Sequence, residues 1–141
     1  MINNCPGCDL IFSKKYDGVA TKSVWEELAD SDFPFPDYGG MRMAVHDSCD
    51  VRGKDEVYDA VRKILTRMNI VVVDPIKCRA GSVCCGASMY DKMTEAQWLA
   101  FVEKRAKDFP IDDVAVYCVS CLKYIGKVGK KPHHLIDLLF K

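Results

Sequence analysis

Five cysteines constrain this chain more than any other feature. Cys49, Cys84, Cys85, Cys118 and Cys121 form a C-x34-CC-x32-C-x2-C array, with Gly86 directly after the vicinal pair. A hydrophobic core has no use for thiols in that order. A metal or iron–sulfur centre does, because soft thiolates are the ligands such centres select. A fold that uses the array must bring three separate stretches of chain to one point.

The bulk properties allow such a fold. At 141 residues the chain is long enough to bury a core without disulfides. Its 20 Lys and Arg balance 20 Asp and Glu, which argues against a nucleic-acid partner. The amino end, Met1-Ile2-Asn3-Asn4-Cys5, has no secretory character, and the longest apolar run, Ile70 to Val73, is too short to insert in a membrane. A cytoplasmic protein is the expectation. Eight cysteines in a reducing compartment point to metal binding or catalysis rather than a disulfide framework.

Three segments read as strands: Met41 to Asp47, Ile70 to Pro75 and Asp113 to Cys118. Helical patterns lie between and after them. Lys54 to Asn69 carries Val57, Ala60, Val61, Ile64, Leu65 and Met68 on one stripe. Thr94 to Phe109 opens on a capping residue and carries Trp98, Leu99, Phe101, Val102 and Ala106. A third helix is predicted from Cys121 to about Gly129 and a last one from His134 to Phe140, with His133 and His134 a solvated pair at its start. The order β-α-β-α-β-α predicts an α/β fold, three-layered, with a mainly parallel sheet. Residues 31–40, rich in Pro, Phe and Gly, read as a linker loop between a piece over 1–30 and a cysteine-rich domain over 41–141.

Each cysteine group of the main unit falls just past a strand. Carboxyl ends of parallel strands emerge on one edge of a sheet, and sites form there. The array is therefore expected to converge. Lys77, Arg79, Lys123 and Lys127 are candidates to offset the charge of several thiolates. His46 and Asp47 are candidates for proton donors beside the centre. Cys78 reads as a small buried hydrophobe or a peripheral residue.

The two ends of the chain echo one another. Cys5-Pro6-Gly7-Cys8, a helical stretch, Lys14-Lys15 and an acidic amphipathic segment match Cys118-Val119-Ser120-Cys121, a helical stretch, Lys130-Lys131 and a second such segment. Residues 1–30 thus read as the tail of a repeat, with Cys5 and Cys8 as candidate ligands of their own.

The cysteine elements His46-Asp47-Ser48-Cys49, Cys84-Cys85-Gly86 and Cys118-Val119-Ser120-Cys121 resemble those of the cysteine-rich CCG domain found in the B subunit of heterodisulfide reductase. Related domains occur in iron–sulfur subunits of glycolate and lactate oxidases and in some succinate dehydrogenase accessory subunits. The likeness covers about residues 41–140. It implies an iron–sulfur centre, of 4Fe–4S type or an unusual non-cubane form, ligated by Cys49, Cys84, Cys85, Cys118 and Cys121. It also implies an oxidoreductase subunit that cleaves a disulfide by one-electron steps. Family enzymes usually carry two such domains, and here only the tail of one accompanies the other. The second spacing is also slightly short. A hetero- or homo-oligomeric partner that completes the partial repeat is therefore expected.

Three functions compete on the residues. The first is a redox subunit that passes electrons between a partner protein and a small thiol, disulfide or flavin substrate. The second is a zinc-binding structural or interaction module, for which four thiolates suffice. The third is a metal-free thiol–disulfide protein cycling Cys5 with Cys8 or Cys118 with Cys121.

Overall fold

A computed structural model describes residues 1–141. Its centre is a four-stranded, fully parallel sheet of order β4-β3-β5-β6, made of β3 (Arg42–Val45), β4 (Val71–Val72), β5 (Asp113–Val116) and β6 (Lys131–His134). The intervening helices are α3 (Asp55–Arg67), α4 (Glu95–Lys107) and α5 (Val119–Gly126), and α6 (Leu135–Leu139) follows β6. Ahead of this unit, β1 (Ile2–Asn3) and β2 (Lys22–Ser23) pair in parallel beside α1 (Pro6–Lys15) and α2 (Val24–Ala29). The α/β class expected from the sequence is the one observed.

Alternation along the strands separates two cores. Met43, Val45 and Ala115 join α2, α3 and α6 on one face. Ala44, Val114 and Val116 join Phe109, Cys121 and Ile125 on the other. The sheet is thus the middle of three layers. The stripe read from Lys54 to Asn69 is all buried, and each larger aliphatic side chain on it contributes about 1.5–3 kcal/mol by leaving water. The helix ends where Asn69 turns left-handed at φ 55° and its amide donates to Asp37. Thr94 opens α4 with a full capping box to Gln97.

Several expectations need correction. Lys131–His134 forms an edge strand rather than a lead-in to the last helix, and His134 is buried, its ring nitrogen capping α6 through the Ile136 N–H. The helix after Cys118 starts at Val119, and the second strand shrinks to two paired residues. Leu99 lies 44% exposed, off the apolar face of α4. Finally, Arg79 and Lys127 point their charges elsewhere, Arg79 onto Asp59 at 2.8 Å and Lys127 over the rings of Trp98 and Tyr124.

The loop over 31–40 packs onto the main unit. Phe33, Phe35 and Tyr38 lie against the α3 core, and the Tyr38 hydroxyl donates to the Leu138 carbonyl. Trp25 and Ala29 of α2 sit in that same core. Buried Asp9 accepts from Asn3 and Lys54, which fastens α1 to the start of α3. Burial alone would raise the Asp9 carboxyl pKa, but Lys54 and Asn3 outweigh it and hold the value below the usual carboxylate range. No helix is long and apolar enough to cross a membrane.

Candidate metal centre

The chain leaves β3 toward β4 on one side, then crosses to β5 on the other. The carboxyl ends of β3 and β5 therefore flank a topological switch point, where open α/β sheets form their crevices. His46-Asp47-Ser48-Cys49 leaves one strand there, and Tyr117-Cys118 leaves the other.

Cys49, Cys84, Cys85, Cys118 and Cys121 line one cup of about 70 Å³, together with Ser48, Asp50, Ala87, Ser88 and Ser120. Cys85 and Cys121 are buried and form its floor, while Cys49, Cys84 and Cys118 are half-buried at the rim. Cys118 is the N-cap of α5 and Cys121 its third helical residue, positions whose side chains meet at a helix start. Cys49 opens a single 3-10 turn, Cys49–Val51, whose N-cap Ser48 accepts from the Asp50 N–H.

The vicinal pair needs a backbone bend to point both sulfurs inward, because neighbours on an extended segment diverge. Gly86 supplies it at φ 102°, donating its N–H to the Cys84 sulfur at 3.3 Å. Its carbonyl accepts from the Trp98 indole at 3.0 Å. A Cβ there would stand 2.3 Å from Val102 Cγ1, so α4 packs directly on the glycine.

Charged side chains hold the loop before the pair. Asp47, fully buried, accepts from both terminal nitrogens of Arg62, from the Arg79 N–H at 2.6 Å and from the Tyr117 hydroxyl at 3.3 Å. The Ser82 hydroxyl donates to the Asp47 carbonyl at 2.7 Å. Buried Arg105 donates to the Lys77 carbonyl, the Ser82 hydroxyl and His46 Nδ1. Sequence reasoning missed Arg105 because a charged residue on α4 reads as solvent-facing. Both Asp47 oxygens are taken up by these bonds, which ties β3, α3, β5 and the 78–82 loop together.

Among themselves the five thiols share protons unevenly. The thiols of Cys49 and then Cys85 pull the Cys84 pKa far below the ordinary thiol range, helped by Ser88, whose hydroxyl lies 3.1 Å away. Cys49 is pushed far up by the same contact and by burial. The Cys121 thiol, with the N–H groups of Cys121 and Ser120, brings Cys118 down to about 6. Cys121 is raised well above its ordinary value by Cys118, Cys85 and burial. For Cys85 the Cys121 thiol acts downward, but Cys84 and burial outweigh it, and the value is pushed up to about 12. Of the five thiols facing the cup, Cys84 and Cys118 are thus lowered and the other three raised.

Behind the floor, a ligating nitrogen of His46 and the sulfurs of Cys85 and Cys121 lie within 4.8 Å of one another. This cluster is compatible with metal binding, and the donor set is that of a soft metal. Cys5 and Cys8 lie outside the cup. Cys5 caps α1 and Cys8 is its third residue, repeating the geometry of Cys118 and Cys121, with the Cys8 N–H donating to the Cys5 sulfur at 3.4 Å. Between the two groups stands Asp50. One of its oxygens lies 3.9 Å from the Cys49 sulfur, and the other would be 3.3 Å from a Cβ at Gly7. Cys78 does not line the cup.

No curated protein and no solved structure matches the chain. The sequence pattern of one family does, over residues 43–126, which spans all five cup cysteines. The chain belongs to the CCG cysteine-rich domain family.

Proposed function

We propose that the chain is an iron–sulfur redox protein or subunit, with Cys49, Cys84, Cys85, Cys118 and Cys121 as ligands. The observation that carries this reading is the gathering of five sulfurs from three stretches around one cup. Tetrahedral zinc uses four ligands and leaves the fifth without a role. An iron–sulfur centre, once bound, supplies one-electron chemistry at a potential set by charge, hydrogen bonds to sulfur and exposure. The chain's own contribution is positional. Cys85 and Cys121 exclude water at the floor, and the half-buried rim leaves one side open to a partner.

That open side suits electron exchange with a partner protein, and reduction of a small disulfide is the finer form of the proposal. The order β1-α1-β2-α2 repeats β5-α5-β6-α6, with cysteines at matching cap positions. We read Cys5 and Cys8 as the thiol pair of a second unit, with Asp50 between it and the cup.

A zinc site is the second reading. The close approach of His46, Cys85 and Cys121 and the small cup, roughly two water volumes, favour a single ion. An anaerobic optical spectrum with iron, zinc and acid-labile sulfide counts decides between them. Iron with matching sulfide and visible absorption supports the first reading. Colourless protein with one zinc per chain supports the second and refutes the first.

A further inference from the structure

His46 is 1% exposed, and its Nε2 has no hydrogen-bond partner. One ring nitrogen of His46 lies within 4.8 Å of the Cys85 and Cys121 sulfurs, and the orphaned Nε2 has two readings: a metal ligand, or a hydrogen-bond donor to sulfur. The residue on its other side separates them. Arg105 is 2% exposed, and one of its terminal nitrogens lies 3.1 Å from His46 Nδ1. A guanidinium only donates. Nδ1 must therefore accept, and the imidazole proton is assigned to Nε2. A nitrogen that carries the proton has no lone pair for a metal, whereas its N–H is ready to donate.

The lock on this tautomer is itself fixed. Arg105 is seated over the Phe109 ring at 4.5 Å and reaches the Lys77 carbonyl at 3.0 Å and the Ser82 hydroxyl at 3.2 Å. The His46 ring packs edge-on against that same Phe109, with centroids 5.9 Å apart. The Asp108 carboxylate faces the outer side of Arg105 at 3.4 Å. Moving the proton to Nδ1 to bare Nε2 would place an N–H against a guanidinium N–H.

We infer that His46 is a positioning residue whose Nε2–H is held ready to donate to sulfur of a centre bound in the cup, with Arg105 holding the tautomer, and that it is not a metal ligand. The inference rests on the five-cysteine reading above for the identity of what it donates to. A donor to sulfur stabilises the reduced, more negative centre over the oxidised one. His46 therefore raises the reduction potential without altering the ligand count.

Two measurements test it. Long-range ¹H–¹⁵N correlation on the reduced, metal-free full chain assigns the His46 tautomer directly. The Nε2–H form is expected, and R105L is expected to release it into a mixture. An Nδ1–H form in the wild type overturns the inference. The second measurement loads wild type, H46L and H46Q with ferrous iron and sulfide under anaerobic conditions. H46L is expected to keep its iron and sulfide while its midpoint potential becomes more negative. H46Q is expected to restore the wild-type potential, since its amide oxygen accepts from Arg105 and its N–H remains for sulfur. Stoichiometric iron loss in a folded H46L, or a directly bound nitrogen in the pulsed EPR spectrum of the wild type, overturns the inference. If H46L does not fold, H46Q and the tautomer assignment still decide. Wild type that takes up no iron overturns the inference together with the proposed function, a result told apart from failure of this inference alone by the iron count.

Discussion

Substituting alanine for Gly86 tests how the vicinal cysteines are aimed. Two costs add. A side chain at φ 102° is strained, by about 1–2 kcal/mol on the scale of left-handed residues. The new Cβ also meets Val102 Cγ1 at 2.3 Å and the Trp98 indole nitrogen at 3.0 Å, in a packed layer where an extra methyl costs about 1–3 kcal/mol. G86A is therefore expected to lose about 2–5 kcal/mol in urea unfolding of the reduced, metal-free protein. V102A alone removes two buried methyl groups and costs about 2 kcal/mol. In the double variant the Val102 clash disappears, while the Trp98 contact and the backbone strain remain. The combined loss should then fall short of the sum by about 1–3 kcal/mol. Loading should fall with the same ranking, because displacing Gly86 rotates Cys84 and Cys85 out of the cup. A G86A protein within about 0.5 kcal/mol of wild type, the ordinary range for surface changes, refutes the reasoning. Strict additivity of the two substitutions refutes the packing half of it.

Serine at any one of Cys49, Cys84, Cys85, Cys118 or Cys121 is expected to reduce bound iron below the wild-type count. Serine at Cys5, Cys8 or Cys78 is expected to leave it unchanged, as read by metal analysis. Metal uptake should release protons, because Cys49, Cys85 and Cys121 hold theirs above neutral pH whereas Cys84 and Cys118 do not. Zinc affinity should accordingly rise with pH across the neutral range, and calorimetry in buffers of different ionisation enthalpy measures the protons released. A pH-independent affinity contradicts the assigned thiol states. Asp47→Asn breaks a buried pair with Arg62 and should cost about 3–5 kcal/mol in the same unfolding assay. Asp74→Asn, on the outer and more exposed side of the same arginine, should cost under about 1 kcal/mol.

Much of the fold was legible because local signals agreed with burial. The α3 stripe and the Thr94 cap placed two helices within a few residues of their observed bounds. The central strands β3 and β5 are buried on both faces and read as apolar runs. The edges did not read so well. Lys131-Pro132-His133-His134 pairs only with β5, and an edge strand need not be apolar. Val71 is half exposed and belongs to a strand much shorter than its β-branched run suggests. Strand order lay beyond reach, since β3 meets β5 through partners about seventy residues apart. The convergence of the cysteines was readable from their places past strand ends. The His46–Arg105 contact was not, because it joins residues 59 positions apart and hides a charge on an apolar helix face.

The sheet order also imposes a schedule on assembly. A chain emerging amino end first can pair β3 with β4 and present Cys49, Cys84 and Cys85. Cys118 and Cys121 join them only after β5 has docked on the other side of β3. Until that late, non-local step, three thiols stand without their partners, open to oxidation and to stray metal ions. Loading of the proposed centre would therefore follow the insertion of β5, and until then the half-built site would need a reducing environment.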